Sequence, residues 1–441
     1  MEPFEKTNNA PIKISRLFMI TGISALILAL IFGLIAAFQF VVPSFLPDLP
    51  FYKARPLHVS LAVAWIFCIG IGATYNYLEE KKLVRFRILG LIHWIIFITT
   101  GLIIIASFFL GVFGGREYWE FPPIFSIPIL VSWIFFGAAF FTSISKLKNW
   151  PIYMWMWSTG ILVFFFTFLE ANSWILNYFS TSVVRELTIQ WKSYGSLVGS
   201  WNMFVYGAGL FLLEKISGSD LYSRFKIAFV LYFVGLTNLF FNWAHHVYAV
   251  PSSEWIGMCA YIVSMTELFI IGRIIWKWKS TLSDAIKFKF NQAYIFILAS
   301  DIWIFFNLAL AIIISVPAIN LYTHGTHITV AHAMGSTIGI NTMILIAFLL
   351  LTLKTKKSLW ISISYYFINS SLFVFWCSLI FAGILKSGAA MHGESFQIMM
   401  NKILPVLEVF SYSGLLLAIG ILILLFHLIF DFLEDFPENL R

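Results

Sequence analysis

Apolar stretches and polar breaks alternate along the whole chain. Apolar runs occupy approximately 15–42, 56–78, 88–113, 122–144, 150–178, 188–213, 224–248, 254–276, 290–316, 325–353, 358–385 and 403–430. A helix needs about 20 apolar residues to cross the hydrocarbon core of a bilayer. Each run therefore predicts one membrane-spanning helix, and the set predicts an all-α polytopic membrane protein of about twelve helices with short loops. No soluble domain, internal repeat or low-complexity segment interrupts the pattern, so residues 1–441 read as a single transmembrane domain.

Composition agrees, with 60% hydrophobic, 19% aromatic and only 11% charged residues and a mean hydropathy of +0.89. Such a chain cannot be a soluble globule. The formal charge of +7 would suit nucleic acid, but its distribution argues for membrane lipid and against nucleic acid as partner. Lys and Arg concentrate in alternate loops, as in Lys81, Lys82, Arg85 and Arg87, or Arg273, Lys277, Lys279, Lys287 and Lys289. The loops between carry few, which predicts cytoplasmic N- and C-termini. Cys68, Cys259 and Cys377 are isolated and form no CxxC pattern, so neither a disulfide framework nor covalent haem attachment is expected. The first apolar run is too long for a cleavable signal peptide.

Polar residues inside the runs change the picture. Three of nine histidines, His324, His327 and His332, fall in the stretch 323–334 that opens the tenth run. An imidazole in hydrocarbon is costly unless a metal, a haem or a hydrogen bond satisfies it. The bland reading is two histidines at a wet helix mouth and one in the core. His58 follows Pro56 at the start of helix two, His245 and His246 end helix seven, and His332 and Met334 lie about two to three turns into helix ten. All occupy the outer half of the membrane, which describes a buried site between helices of a bundle. Adjacent His245 and His246 can flank one metal or face different neighbours. His332 and Met334, two apart, point to nearly opposite sides, as service to two cofactors would need. Glu170, Lys192 and Asp301 are further costly intramembrane groups, suited either to proton delivery or to hydrogen bonding between helices.

Five segments carry a specific resemblance: Arg55-Pro56-Leu57-His58, Gly115-Arg116-Glu117-Tyr118-Trp119-Glu120-Phe121-Pro122, 242–248, Ser264-Met265-Thr266-Glu267 and 323–334. In order and over nearly the whole length, they resemble the large subunit of the cytochrome-c-dependent nitric oxide reductases, within the haem-copper oxidase superfamily. The resemblance implies a haem-copper oxidase subunit I-like bundle with two haems b, a non-haem iron and a calcium. His58 resembles the helix-two ligand of the low-spin haem, His332 the high-spin haem ligand, and His245 with His246 two ligands of the iron. Glu117 matches the calcium glutamate, and Glu120 and Glu267 match further acidic residues on a proton path. His324 and His327 remain secondary candidates.

Three positions depart from that pattern. Met334 stands where the family has the second low-spin ligand, a histidine; a thioether still ligates iron and raises the haem potential. Aligning 191–201 with the family's helix six puts Tyr194 at the third iron histidine and Val198 at an iron-site glutamate. Tyr194 is then the remaining candidate for that metal, which is expected to be weakly held. The function implied is electron transfer through the low-spin haem to the high-spin site, with reduction of nitric oxide to nitrous oxide. The alternatives are a dismutase-like nitric oxide enzyme, or a non-catalytic electron-transfer or gas-binding haem protein without the second metal. A c-type cytochrome subunit or soluble donor is the expected partner, and the bacterial cytoplasmic membrane the expected location.

Overall fold

A computed structural model describes residues 13–434 other than 86, 221–223, 225, 274–282, 285–287 and 289–290. Lys277, Lys279, Lys287 and Lys289, used above to orient the chain, lie outside the described residues. Among the described residues, twelve long helices form the bundle. They are α1 Ile14–Val41, α2 Phe51–Glu80, α3 Arg87–Phe109, α4 Ser126–Ile144, α5 Ile152–Ala171 and α6 Val183–Ser217. They continue as α7 Lys226–Phe241, α8 Glu254–Arg273, α9 Gln292–Ile314, α10 His327–Thr352, α11 Leu359–Met391 and α12 Phe396–Glu434. Among the described residues, eleven are long and apolar enough to cross a bilayer; α7, at 16 residues, is shorter. The expected all-α architecture is the one observed.

Local chemistry sets the helix ends. Ser182 accepts a hydrogen bond from the Arg185 backbone N–H, Glu186 stands in the first turn of α6 and Lys215 in its last, and Gly218 closes it at φ +67°. Each complements the unpaired groups or partial charges of a helix end. Asn291 caps α9 through the Ala293 and Tyr294 N–H groups. Thr326 caps α10 through the Ile328 N–H at 3.2 Å, after Gly325 reverses the chain at φ +72°.

Burial then sorts the helices. The most apolar window of α10 is 72% buried and those of α2 and α5 are 67%, against 22% for α3 and 11% for α8. The first three are central, and the last two present Leu102, Ile103, Met258 and Ile262 outward, as a lipid-facing helix does. Within α10, Gly335–Thr342 is a π-helical segment, and Thr342 donates its hydroxyl to the Thr337 carbonyl five residues back at 2.8 Å. Trp65 of α2 donates to the same hydroxyl at 3.1 Å, tying the two central helices together.

Candidate haem and metal centre

The site lies at the end of the bundle where α2, α6, α8 and α10 begin. Loop contacts hold that end together. Arg55 bridges Glu117 and Glu120 at 2.7 Å each, Arg116 pairs with Glu186 at 2.5 Å, and Lys386 donates to the Gly325 carbonyl at 3.1 Å. Burial pushes the Glu120 carboxyl up from its ordinary range, and Arg55 opposes that shift. The Tyr118 phenol is pushed up to about 12 by burial and then by Glu117. Two opposite-charge contacts on one guanidinium fix this loop three residues from His58.

His58 is fixed from behind. A Cβ at Gly33 of α1 would come within 2.6 Å of its Nδ1, so α1 lies directly against the ring. Nδ1–H donates to the Ala29 carbonyl at 2.8 Å, one turn before Gly33. The lone pair therefore stays on Nε2, the state an axial imidazole needs. On α10, His332 sits beside Asn307 of α9, and its Nδ1 is buried without a hydrogen-bond partner.

His58, His332 and Met334 keep accessible surface although neighbours Leu57, Ala331 and Gly335 are buried. One accepting imidazole on α2, and a histidine and a thioether on different faces of α10, fit haem ligation.

The second histidine pair is built differently. The sequence places His245 and His246 at the end of helix seven, but the α-helix stops at Phe241 and Asn242–Val247 is a 3₁₀ helix. Its tighter winding sets adjacent side chains about 120° apart. The two rings lie 4.2 Å apart, tilted by 41°. Nδ1–H of His245 donates to Asn242 Oδ1 at 3.0 Å; the same oxygen accepts from the Ser264 hydroxyl, while Asn242 Nδ2 donates to Glu267 Oε1 at 3.0 Å. His246 stacks on Trp191 at 4.6 Å, and its Nδ1 is buried and unpartnered. His324 stands 5.8 Å from His246 ring to ring. His327, in the first turn of α10, has a buried unpartnered Nδ1. Two adjacent imidazoles fit part of a metal's shell. Among the described residues, no group of three His, Cys, Asp or Glu could hold a metal ion.

Helix six supplies less than the motif alignment suggests. Tyr194 is buried with its ring edge-on to Tyr118 at 5.6 Å and its hydroxyl unpartnered. Val198, half-buried, packs against the main apolar core. The α6 residues that face α7 and the histidine segment include Trp191, Gly195, Ser196 and Gly199. A Cβ at Gly195 would lie 2.5 Å from Trp243 Cβ, one at Gly199 2.5 Å from Leu239 Cγ, and Ser196 donates to the Leu239 carbonyl. The motif reading missed this stripe, although its signal, the GxxxG of Gly195 to Gly199, is the pattern of close helix approach in membranes.

Glu170 and Lys192 form an ion pair between α5 and α6, lining a cavity of 630 Å³ with Leu162, Phe166 and Phe240. Asp301 lines a separate 90 Å³ cavity with Leu213 and Ile216.

Residues 13–417 match the family described as cytochrome c and quinol oxidase polypeptide I. The chain belongs to that family. As a subunit I-like member it has low-identity relatives of two kinds. It is 22% identical over 327 residues to a nitric oxide reductase subunit of Stutzerimonas stutzeri, covering 68% of this chain and 67% of the relative. It is 24% identical over 399 residues to cytochrome c oxidase subunit 1 of Rhodobacter capsulatus, covering 83% and 71%. A cytochrome c oxidase subunit 1 homolog of Azorhizobium caulinodans is 25% identical over 272 residues, 56% of this chain and 47% of that one. A solved haem-copper terminal oxidase dimer shares the fold, with a TM-score of 0.69 at 15% identity over 97% of this chain and 85% of the other. This haem-copper oxidase subunit I-like member is thus a multi-pass membrane protein of a haem-binding family, related to subunits of electron-transferring complexes.

Proposed function

We propose that this family member takes electrons from a c-type cytochrome and reduces nitric oxide to nitrous oxide. A low-spin haem b would be held by His58 and Met334, a high-spin haem b by His332, and a non-haem iron by His245 and His246. The reaction consumes two nitric oxide molecules, two electrons and two protons and yields one nitrous oxide and one water. Haem iron, when bound, supplies a reducible centre with affinity for nitric oxide. The residues do the rest. Ala29 orients His58, Asn242 orients His245, and Glu267 places a buried carboxyl able to hold a proton two hydrogen bonds from His245. Glu120 adds a second carboxyl in the loop above, and Glu117 beside it is the carboxylate we assign to calcium. The distribution of Lys and Arg supports a bacterial cytoplasmic membrane location with both termini in the cytoplasm.

The observation that carries this reading is the His245–His246 pair, two rings 4.2 Å apart with the first imidazole already oriented by Asn242. Purified protein with both haems, supplied with reduced cytochrome c, should convert nitric oxide to nitrous oxide at a 2:1 ratio. Failure to form nitrous oxide with both haems in place would overturn it. That outcome would favour a second reading, a haem electron-transfer or gas-binding protein without turnover. The contact of Gly195 with Trp243, which leaves helix six no room for a donor at that position, supports the second reading.

A further inference from the structure

We infer that the cavity between α5, α6 and α7 is a phospholipid site that selects a zwitterionic headgroup carrying a primary ammonium. Lys192 would hold the phosphate and Glu170 the ammonium.

The cavity is polar at one end and apolar below. Glu170 stands in the last turn of α5, at the end of the bundle that carries the candidate site, and Lys192 of α6 donates to its Oε1. Leu162 lies eight residues earlier on α5, about 12 Å deeper at a rise of 1.5 Å per residue. Phe166 lines the stretch between them, and α7 contributes Phe240. The hydroxyls of Thr167 and Ser196 are engaged within the protein, donating to the Val163 carbonyl at 2.8 Å and the Leu239 carbonyl at 3.0 Å. Leu162 is 51% and Phe166 63% exposed, so the apolar part opens sideways, as access from a bilayer requires.

The ion pair at the head of this cavity is incomplete. Lys215 and Glu80, paired at the other end of α6, show the closed alternative. There the second Glu80 oxygen accepts from Asn76 Nδ2 at 3.0 Å, and the Lys215 ammonium lies over the Phe211 ring at 5.1 Å. A lysine ammonium has three donors and a carboxylate two accepting oxygens. Lys192 and Glu170 use one of each on one another, and among the described residues no protein group pairs with the rest. Both side chains remain partly exposed, at 39% and 34%.

An occupant that answers both charges must accept from Lys192, donate to Glu170 Oε2, and carry an apolar body beneath. Phosphatidylethanolamine does all three, with its phosphate on Lys192, its ammonium on Glu170 and an acyl chain along Leu162, Phe166 and Phe240. These are charge-assisted hydrogen bonds of the kind by which pockets between membrane helices recognise headgroups. A choline headgroup has no N–H to donate. A glycerol headgroup brings the phosphate beside Glu170 with no positive charge to offset it.

The test uses the full chain, purified with its haem, delipidated in detergent and titrated with phosphatidylethanolamine, phosphatidylcholine or phosphatidylglycerol of identical acyl chains. Native mass spectrometry counts the bound lipid, and haem spectra check the folding of each variant. One phosphatidylethanolamine should bind roughly tenfold more tightly than either of the others, the size of one hydrogen bond to a charged group. Glu170→Gln should weaken that binding roughly tenfold and strengthen binding of phosphatidylglycerol, because Lys192 is left unopposed. Lys192→Gln should weaken both. A preference that follows the sign of the remaining charge does not arise from lost packing. Glycerophosphoethanolamine, the headgroup without chains, should not compete at the lipid's concentration. Equal binding of the three lipids by the parent would overturn the inference whatever the variants do. So would a folded Glu170→Gln protein that keeps the parent's ranking, or displacement of the lipid by the headgroup alone.

Discussion

His58 and His245 share one arrangement, Nδ1–H on an oxygen acceptor with the lone pair left on Nε2, and the protein reaches it in two ways. At His58 the acceptor is the backbone carbonyl of Ala29, pressed into place by the glycine contact at Gly33. At His245 the acceptor is the Asn242 side chain, itself oriented by Ser264 and Glu267. A backbone carbonyl cannot be removed by substitution, and only the packing of α1 can displace it. A side-chain acceptor can change in one step. The first arrangement resists sequence drift, whereas the second lets the orientation of the imidazole vary without disturbing the fold.

The largest effect should come from spoiling the packing that the backbone device needs. Gly33→Val puts carbon where the His58 ring lies, and overpacking of this kind costs about 1–3 kcal/mol. Haem analysis should find the low-spin haem lost and the high-spin haem retained. Both haems present with unchanged spectra would mean that His58 is not the ligand. A smaller effect is expected at the other axial position. Met334→His should keep the haem but lower its midpoint potential by on the order of 100 mV, within the roughly 0.8 V range that axial ligands span. It should also remove any thioether-to-iron charge-transfer band, and an unchanged redox titration would refute the Met334 assignment.

The smallest effect should appear where the sequence alignment promised the most. Tyr194→His with Val198→Glu restores the family's helix-six residues, yet bound non-haem metal should not rise, because Gly195 and Gly199 form the stripe against α7. A clear gain of metal in that variant would mean that α6 sits rotated from the packing described.

Much of the architecture was legible because the signal is one of length. Runs of about 20 apolar residues admit little besides spanning helices, and the expected spans agree with the helices to within a few residues at most ends. The histidines were legible for a related reason, since imidazoles are conspicuous in hydrocarbon. What escaped was rotational detail. Neighbouring residues on a helix point about 100° apart, so an alignment displaced by one position moves a ligand to another face, as Tyr194 beside Gly195 illustrates. The switch from α to 3₁₀ at Asn242 has no residue signature comparable to a proline. Nor could the sequence pair Lys192 with Glu170, because a partner 22 residues away depends on how two helices cross.

The π segment Gly335–Thr342 acts as a phase shifter in α10. Below it, every residue from Met343 to Leu350 is buried, so that half of the helix is keyed into its neighbours and cannot turn. Above it stand His332 and Met334, whose aim decides what they can hold. A wider turn between them accommodates one extra residue, letting the upper half take an azimuth that a continuous α-helix rooted at Met343 would not allow. Removing a single residue from the segment would swing His332 and Met334 by about 100° while the lower half stayed fixed. The direction in which this helix offers His332 and Met334 is thus recorded in the length of an eight-residue stretch, not in those two side chains themselves.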